Sequence, residues 1–363
     1  MRLVGRRTLR IVAVALASSL ALTLSACGGD DDGGSTGKTY TLKLATPTPA
    51  AHHWSKNALN PWIDLVKEKT DGRVKVELYE GGSLGSFTSV LTDLEGGLYD
   101  VGMVIPSYFL KSKAFAYSAL TLPFGYPDPE TGGKIGSAYM KAIGDQTKID
   151  GVRYLGTAVS DTYVAFSTKK IQTIDDLRGK KIRAQSALDG SIAKSWGGTP
   201  VDVPIQESYE AIEKSVIDVS PYSPVGSLGL KTYEVAPYVL ATDAWGTVTI
   251  PAMSEKFYSG LPDDLKKLFD DDLGPALADL MQQSYVKEDK NARESLKKLT
   301  KDNGGEWVEL ADSEREKFRA SASTQWDEWV KSADKQGFDG KALLEAYLTA
   351  MKAAGVEPPA GVS

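Results

Sequence analysis

The chain has 363 residues, 42% of them hydrophobic and 25% charged, with a formal net charge of −6. That length supports two lobes with separate cores, and the acidic balance leaves no basic stripe for phosphate, which excludes nucleic acid as a partner. One cysteine and two adjacent histidines leave no internal disulfide, no tetrahedral metal set and little hydrolytic chemistry, so no metal or other cofactor is expected.

Residues 1–10 are basic, with Arg2, Arg6, Arg7 and Arg10, and an apolar run follows over residues 11–24. The run is too short for a hydrocarbon core of about 30 Å and fits the core of a signal peptide. It ends Leu24-Ser25-Ala26-Cys27-Gly28, which resembles the bacterial lipobox. That resemblance implies cleavage after residue 26, lipid attachment to Cys27 and stable membrane anchoring. Losing the four arginines takes the net charge from −6 to about −10. Residues 28–37 are glycine, aspartate, serine and threonine, which cannot form a core and read as a flexible tether.

The rest of the chain alternates short β-branched runs with amphipathic segments. Residues 41–45 read as a strand, 54–70 as a helix with Pro61 at a kink, 74–79 as a strand, 86–95 as a helix and 101–105 as a buried strand. A helix over 134–148 leads to strands near 152–159 and 163–167. A second series runs strand 181–184, helix 190–196, strand 201–203, helix 206–214 and strand 216–219, with a return strand at 247–250. Beyond Pro262 the pattern is helical throughout, over 263–271, 275–301, 313–335 and 340–353. This alternation predicts α/β architecture with mixed or parallel sheets. Two series joined by extended connections near 160 and 248 predict two lobes around a cleft. The expected division is 1–26 signal peptide, 27–38 tether, 39–161 plus 248–285 first lobe, 162–247 plus 286–350 second lobe and C-terminal helices, and 351–363 tail.

Several blocks carry a family resemblance. They are residues 67–79, Lys-Glu-Lys-Thr-Asp-Gly-Arg-Val-Lys-Val-Glu-Leu-Tyr, then Gly81-Gly-Ser-Leu-Gly85, Leu120-Thr-Leu-Pro-Phe124, and Ile174-Asp-Asp-Leu-Arg-Gly-Lys-Lys-Ile-Arg183. Trp196-Gly-Gly-Thr-Pro-Val201, Glu207-Ser-Tyr-Glu-Ala-Ile212 and Ser215-Val-Ile-Asp218 follow in order. The series resembles the solute-binding component of tripartite ATP-independent periplasmic (TRAP) transporters, of the dicarboxylate-binding type, over roughly residues 40–345. It implies a two-lobed periplasmic-binding-protein-like fold with a long hinge-spanning helix, an extracytoplasmic location, a small-molecule ligand and membrane permease subunits as partners. The receptor is expected to be monomeric and to have no enzymatic activity.

The resemblance makes Arg183 the main ligand anchor, and the chemistry agrees: a guanidinium matches a carboxylate bidentately and stays charged. The family's second arginine falls at Tyr163, and its asparagine falls near Tyr222. One cation with phenols in place of two cations and an amide favours a monocarboxylate, such as a hydroxy, keto or aromatic acid. A small amine is the alternative, because aromatic faces attract cations. His52, His53 and Trp54 lie in the first strand-to-helix loop, which faces the cleft in such folds. Glu80, Trp196, Trp245 and Phe124 complete the candidate ligand contacts, with Tyr108 and Tyr126 as further wall residues.

Two other functions share some of these features. An ATP-driven importer's receptor has the same two-lobed logic. A secreted serine hydrolase would use Gly81–Gly85 as a Gly-x-Ser-x-Gly elbow at Ser83, but that chemistry requires a histidine after the serine in chain order, and none follows residue 53.

Overall fold

A computed structural model describes residues 38–362. The signal peptide, Cys27 and most of the tether lie outside the described residues. In chain order the strands are β1 (Tyr40–Ala45), β2 (Val74–Tyr79), β3 (Val101–Val104), β4 (Val152–Tyr154), β5 (Ala158–Val159) and β6 (Val164–Ser167). They continue with β7 (Lys181–Ala184), β8 (Thr199–Asp202), β9 (Val219–Tyr222), β10 (Tyr238–Ala241), β11 (Val248–Ser254) and β12 (Glu306–Glu309).

Two sheets result. The first runs β2-β1-β3-β11-β4, with β5 paired to β11; the second runs β12-β10-β6-β9-β7-β8. β1 pairs parallel with β2 and β3, and β7 pairs parallel with β8 and β9. β11 and β6 run antiparallel to their neighbours, so both sheets are mixed. β3, β6 and β11 are buried along their whole length, because helices cover both faces of each sheet. That is why these strands read as continuous apolar runs and not as an alternation.

Two segments cross side by side between the sheets, residues 160–163 leading out of β5 and 242–247 leading into β11. Ser160 N donates to Thr247 O at 2.9 Å and Tyr163 N to Trp245 O at 2.6 Å. Thr242 Oγ1 donates to Tyr163 O at 2.9 Å. A third connection is the 29-residue helix Gly274–Asp302, about 44 Å long at 1.5 Å per residue. Its Leu277, Met281 and Tyr285 pack in the first lobe's core, and Leu296 packs in the second's. Arg293, in its later half, ties the helix to both crossing segments. Its guanidinium reaches Asp243 at 2.9 Å and Asp289 at 2.8 Å, and donates to Thr162 Oγ1 at 3.1 Å.

Several elements depart from the sequence expectation. The helix placed at 134–148 begins five residues earlier, at Pro129, because Asp128 accepts from Thr131 N and caps it. The strand expected at 216–219 is β9, shifted to Val219–Tyr222, since Ser215 takes a positive φ of 56° and turns the chain first. The region beyond Pro262 is not purely helical: β12 interrupts it and pairs with β10. Residues 54–69 form one helical run with a wide turn at Ser55–Leu59, and Pro61 follows that turn directly, the kind of local break in the i→i−4 ladder that accommodates a proline inside a helix.

The helices Ser323–Lys335 and Gly340–Ala353, which the sequence expectation grouped with the second lobe, pack on the first. Trp326 Nε1 donates to Pro123 O at 3.0 Å and Trp329 Nε1 to Ser118 Oγ at 2.8 Å. Trp326 also stacks on Tyr347, with ring centroids 5.6 Å apart. Periodicity shows that a helix has an apolar stripe, but not which core receives it. No described helix is long and apolar enough to cross a membrane.

Arg293→Ala would leave Asp243 and Asp289 as largely buried carboxylates without their cation. The expected loss is ~3 kcal/mol of unfolding free energy, read as a lower urea midpoint with an unchanged slope.

Candidate ligand-binding site

The cleft between the sheets holds a cavity of about 70 Å³. At about one water per 10–15 Å³ this is room for roughly five waters, the scale of a single-ring solute. Its first-lobe wall comes from the loop after β1, the end of β3, β11 and the long helix. The second-lobe wall comes from the ends of β7 and β9 and the helix Pro224–Leu230.

The loop after β1 is shaped by its own polar groups. Thr46 and Thr48 hydroxyls bond at 2.8 Å, and His52 N donates to Pro49 O at 2.8 Å. This brings His52, His53 and Trp54 to the cavity wall together. His52 Nδ1 accepts from Trp54 N at 3.3 Å, which leaves its proton on Nε2. His53 Nδ1 bonds Ser284 Oγ at 2.7 Å. Burial holds the His52 ring down at about 4, and burial with the neighbouring His52 holds His53 well below its ordinary value. Both rings are therefore neutral at pH 7.

On the opposite side, Tyr222 lies against Gly226, where a Cβ would come within 2.6 Å of the phenol oxygen. Only glycine admits the ring there. Ser223 caps the helix Pro224–Leu230 by accepting from Gly226 N at 2.9 Å. Its hydroxyl donates to Asp161 at 2.5 Å, and Val225 N donates to the same carboxyl at 2.9 Å. Asp161 is fully buried in the crossing segment, and burial pushes its carboxyl up to about 7 against those two hydrogen bonds.

No Asp, Glu, Lys or Arg side chain lines the cavity among the described residues. Arg183, the expected anchor, lies behind the wall, only 3% exposed. Its Nε donates to Val203 O at 3.0 Å, its Nη1 to Pro221 O at 3.3 Å and its Nη2 to Gln185 Oε1. Two of its five N–H groups have no partner among the described residues. Gln185 does line the cavity, and its Oε1 also accepts from Tyr108 OH at 3.2 Å. Asp189 is the nearby countercharge; burial raises its carboxyl and Arg183 opposes that rise.

Of the residues singled out from sequence, His52, His53, Trp54, Tyr163, Tyr222 and Tyr108 line the cavity. Trp196, Trp245 and Phe124 belong to the second lobe's core cluster. Trp245 packs between Tyr163 and Trp196, at centroid distances of 5.7 and 5.3 Å, and donates from Nε1 to Asp189 at 3.1 Å. Phe124 sits beneath the Arg319 guanidinium, 5.3 Å from its ring. Glu80 accepts from Ser55 Oγ and lies outside the cavity lining, and Tyr126 is buried in the first lobe's core. Ser83 is on an exposed turn after β2, and no metal-binding cluster occurs among the described residues.

Gln185, Thr247, Thr249, Ser284 and Tyr285 were not singled out. Gln185 carried a signal, since it stands two residues after Arg183 at the end of β7, where alternate residues share a side. Tyr285 carried none. It follows Leu277 and Met281 at four-residue spacing, which reads as core.

The model of the family DctP, bacterial extracellular solute-binding protein family 7, matches residues 44–332. The chain belongs to this family. The receptor is 25% identical over 315 residues to the outer membrane transporter protein TsaT of Comamonas testosteroni, covering 85% of this chain and 90% of that one. It is 24% identical over 285 residues to the C4-dicarboxylate-binding protein DctB of Bacillus subtilis, covering 76% and 75%. It shares the fold of a marine metagenome TRAP solute-binding protein crystallised with 3-hydroxybenzoate. The TM-score there is 0.80 at 22% identity, over 88% of this chain and 99% of that one. This is the family and fold of extracytoplasmic solute receptors rather than of enzymes.

The histidine pair makes stability pH-dependent with a definite sign. His52 binds no proton in the native state until about pH 4, whereas the unfolded ring does so below about 6.5. Stability from this residue is complete above about 6.5 and falls as pH drops toward 4. Asp161, raised to about 7, works in the opposite direction over the same window. Replacing His52 with Gln should therefore flatten the acid limb by up to about 1.4 kcal/mol per pH unit, measured by urea unfolding at a series of pH values.

Proposed function

We propose that this receptor captures a small monocarboxylate, such as a hydroxy, keto or aromatic acid, by closing its two lobes and delivers it to a TRAP permease. The observation that carries this is the guanidinium of Arg183 behind a cavity wall that has no other charge. Arg183 and Tyr108 converge on Gln185 Oε1, which gives that oxygen the role a carboxylate oxygen would take. Exchange of the amide oxygen for a ligand's carboxylate would replace one neutral acceptor with a charged one. Charge-assisted hydrogen bonds are roughly twice as strong as neutral ones. Arg153, the arginine nearest in sequence to the Tyr163 position, is engaged on the first lobe with Glu255 at 3.4 Å and Asp270 at 3.1 Å. A second carboxylate would therefore find no cation among the cavity-lining residues. The 3-hydroxybenzoate in the metagenome protein supports an acid of this size.

Closure needs contacts from both lobes, because a ligand touching one lobe alone binds open and closed states equally. The cavity meets that condition, with His52–Trp54 on one side and Gln185 and Tyr222 on the other. We further propose residues 39–161 with 248–285 as one rigid lobe and 162–247 with 286–350 as the other, less the helices Ser323–Lys335 and Gly340–Ala353, whose side chains pack in the first lobe's core. The receptor acts as a monomer without catalysis, exported by a signal peptide over residues 1–26 and anchored through a lipid on Cys27.

Two experiments test this reading. In a thermal-shift panel, benzoate-sized monocarboxylates should raise the melting temperature and C4 dicarboxylates should not; occupancy at 100 times Kd adds about 2.7 kcal/mol. Gln185→Glu would set an internal carboxylate against Arg183 and Tyr108. It should weaken binding of the best acid at least about tenfold while the free protein remains folded; unchanged affinity would refute the assigned role of Arg183. For the anchor, Cys27→Ser should move the protein from the membrane fraction to the soluble extract.

A further inference from the structure

The first-lobe wall of the same cavity holds a group of buried polar atoms that the fold does not use. His53 Nε2, Trp54 Nε1, Thr247 Oγ1 and Thr249 Oγ1 are all buried without a hydrogen-bond partner among the described residues. All four residues line the one cavity. Trp54 is 3% exposed and Thr249 fully buried. Native proteins leave few such atoms, and each one lost to water costs about 1–3 kcal/mol. Four in one cavity point to a ligand that supplies their partners.

Their chemistry defines the group they take. The indole N–H of Trp54 can only donate. His53 Nδ1 bonds Ser284 Oγ at 2.7 Å, and Nε2 donates or accepts according to the tautomer. The two threonine hydroxyls can do either, and the Tyr285 phenol, also on the cavity wall, is near enough to interact with both Trp54 and Thr249. The wall thus offers one fixed donor, several groups that can donate or accept, and no charge. A second carboxylate would be buried with no cation among the lining residues to pair with. An ammonium would bring only donors against the indole N–H with no carboxylate to receive it.

We infer that the ligand carries an uncharged hydroxyl remote from its carboxylate, seated on the wall formed by His53, Trp54, Thr249 and Tyr285. The substrate class is then a hydroxylated monocarboxylic acid, selected over the plain acid and over the dicarboxylate of the same shape. This rests on the acid-receptor reading above. Burial keeps both histidines neutral, so His53 brings no charge to that wall at neutral pH.

The test is calorimetric titration of the purified receptor with benzoate, 3-hydroxybenzoate, 4-hydroxybenzoate and isophthalate. The better hydroxybenzoate should bind at least about tenfold tighter than benzoate and isophthalate, because a ligand lacking the hydroxyl leaves buried partners unsatisfied. Thr249→Val, which keeps the shape, and His53→Phe should each bring the hydroxybenzoate-to-benzoate ratio to within about threefold of unity. Melting of the ligand-free variants checks that each is folded, and the ratio is read from whichever variant is. Benzoate binding as tightly as both hydroxybenzoates, isophthalate binding tightest, or a ratio unaltered in the folded variants overturns the inference while leaving the acid-receptor reading intact. Binding of none of the four acids overturns both.

Discussion

A guanidinium taken out of water needs an acceptor for its N–H groups, and the second lobe is arranged around that demand. The strand β7 delivers Arg183 beneath the cleft, where the carbonyls of Val203 and Pro221 accept from it. Both carbonyls belong to segments that also border the cavity, next to Ile205 and Tyr222. The same interactions that hold the cation therefore shape the wall through which a ligand meets it. Gln185 completes the coordination with a side chain that can move, whereas the two carbonyls belong to backbone that cannot do so without unravelling β9 or the turn after β8. On the proposed reading, this division between fixed and movable acceptors lets one charged group be satisfied by the protein's own atoms and still serve a ligand.

The architecture places this cation opposite a wall of different chemistry. The first lobe contributes neutral histidines, threonines and an indole, and the second contributes phenols and an amide over a buried charge. Closure brings the two together along three crossings, a pair of hydrogen-bonded extended segments and one long helix. Arg293 fastens the helix to both segments near where they run side by side. On the same helix Tyr285 lines the ligand cavity and Ser284 holds His53, which lines it too. Motion at the crossings and occupancy of the cavity are thus mechanically linked through one rigid element, and a ligand that touches Tyr285 bears on the hinge directly.

Much of the fold was legible in the sequence because strands buried on both faces are apolar without interruption. β2, β7 and the helix Gly340–Ala353 have the bounds that their patterns give. The elements that escaped were those whose identity depends on a partner. β10 and β12 lie in stretches that the pattern assigned to no strand or to helix, and exist as strands because β10 pairs with β6 and β12 with β10. The same holds within the site. A loop carrying His52, His53 and Trp54 is conspicuous, since histidines are so few. Thr247 and Thr249 are ordinary strand residues until the opposite lobe closes a cavity over them.

Trp196 and Trp245 illustrate the boundary. Their size and position beside second-lobe strands fit a cleft wall or a core equally well, and the structure makes them core, stacked behind Tyr163. The sequence alone determined the two-sheet alternation, the collinear family blocks, the scarcity of titratable catalytic groups and the presence of one arginine at the end of β7, because these follow from residue type and spacing along the chain. Only the tertiary structure decided which aromatic side chains face the cleft, that Arg183 lies behind Gln185, and that the C-terminal helices return to the first lobe. Those outcomes depend on which surfaces meet across hundreds of residues, and local periodicity carries no information about a partner that distant.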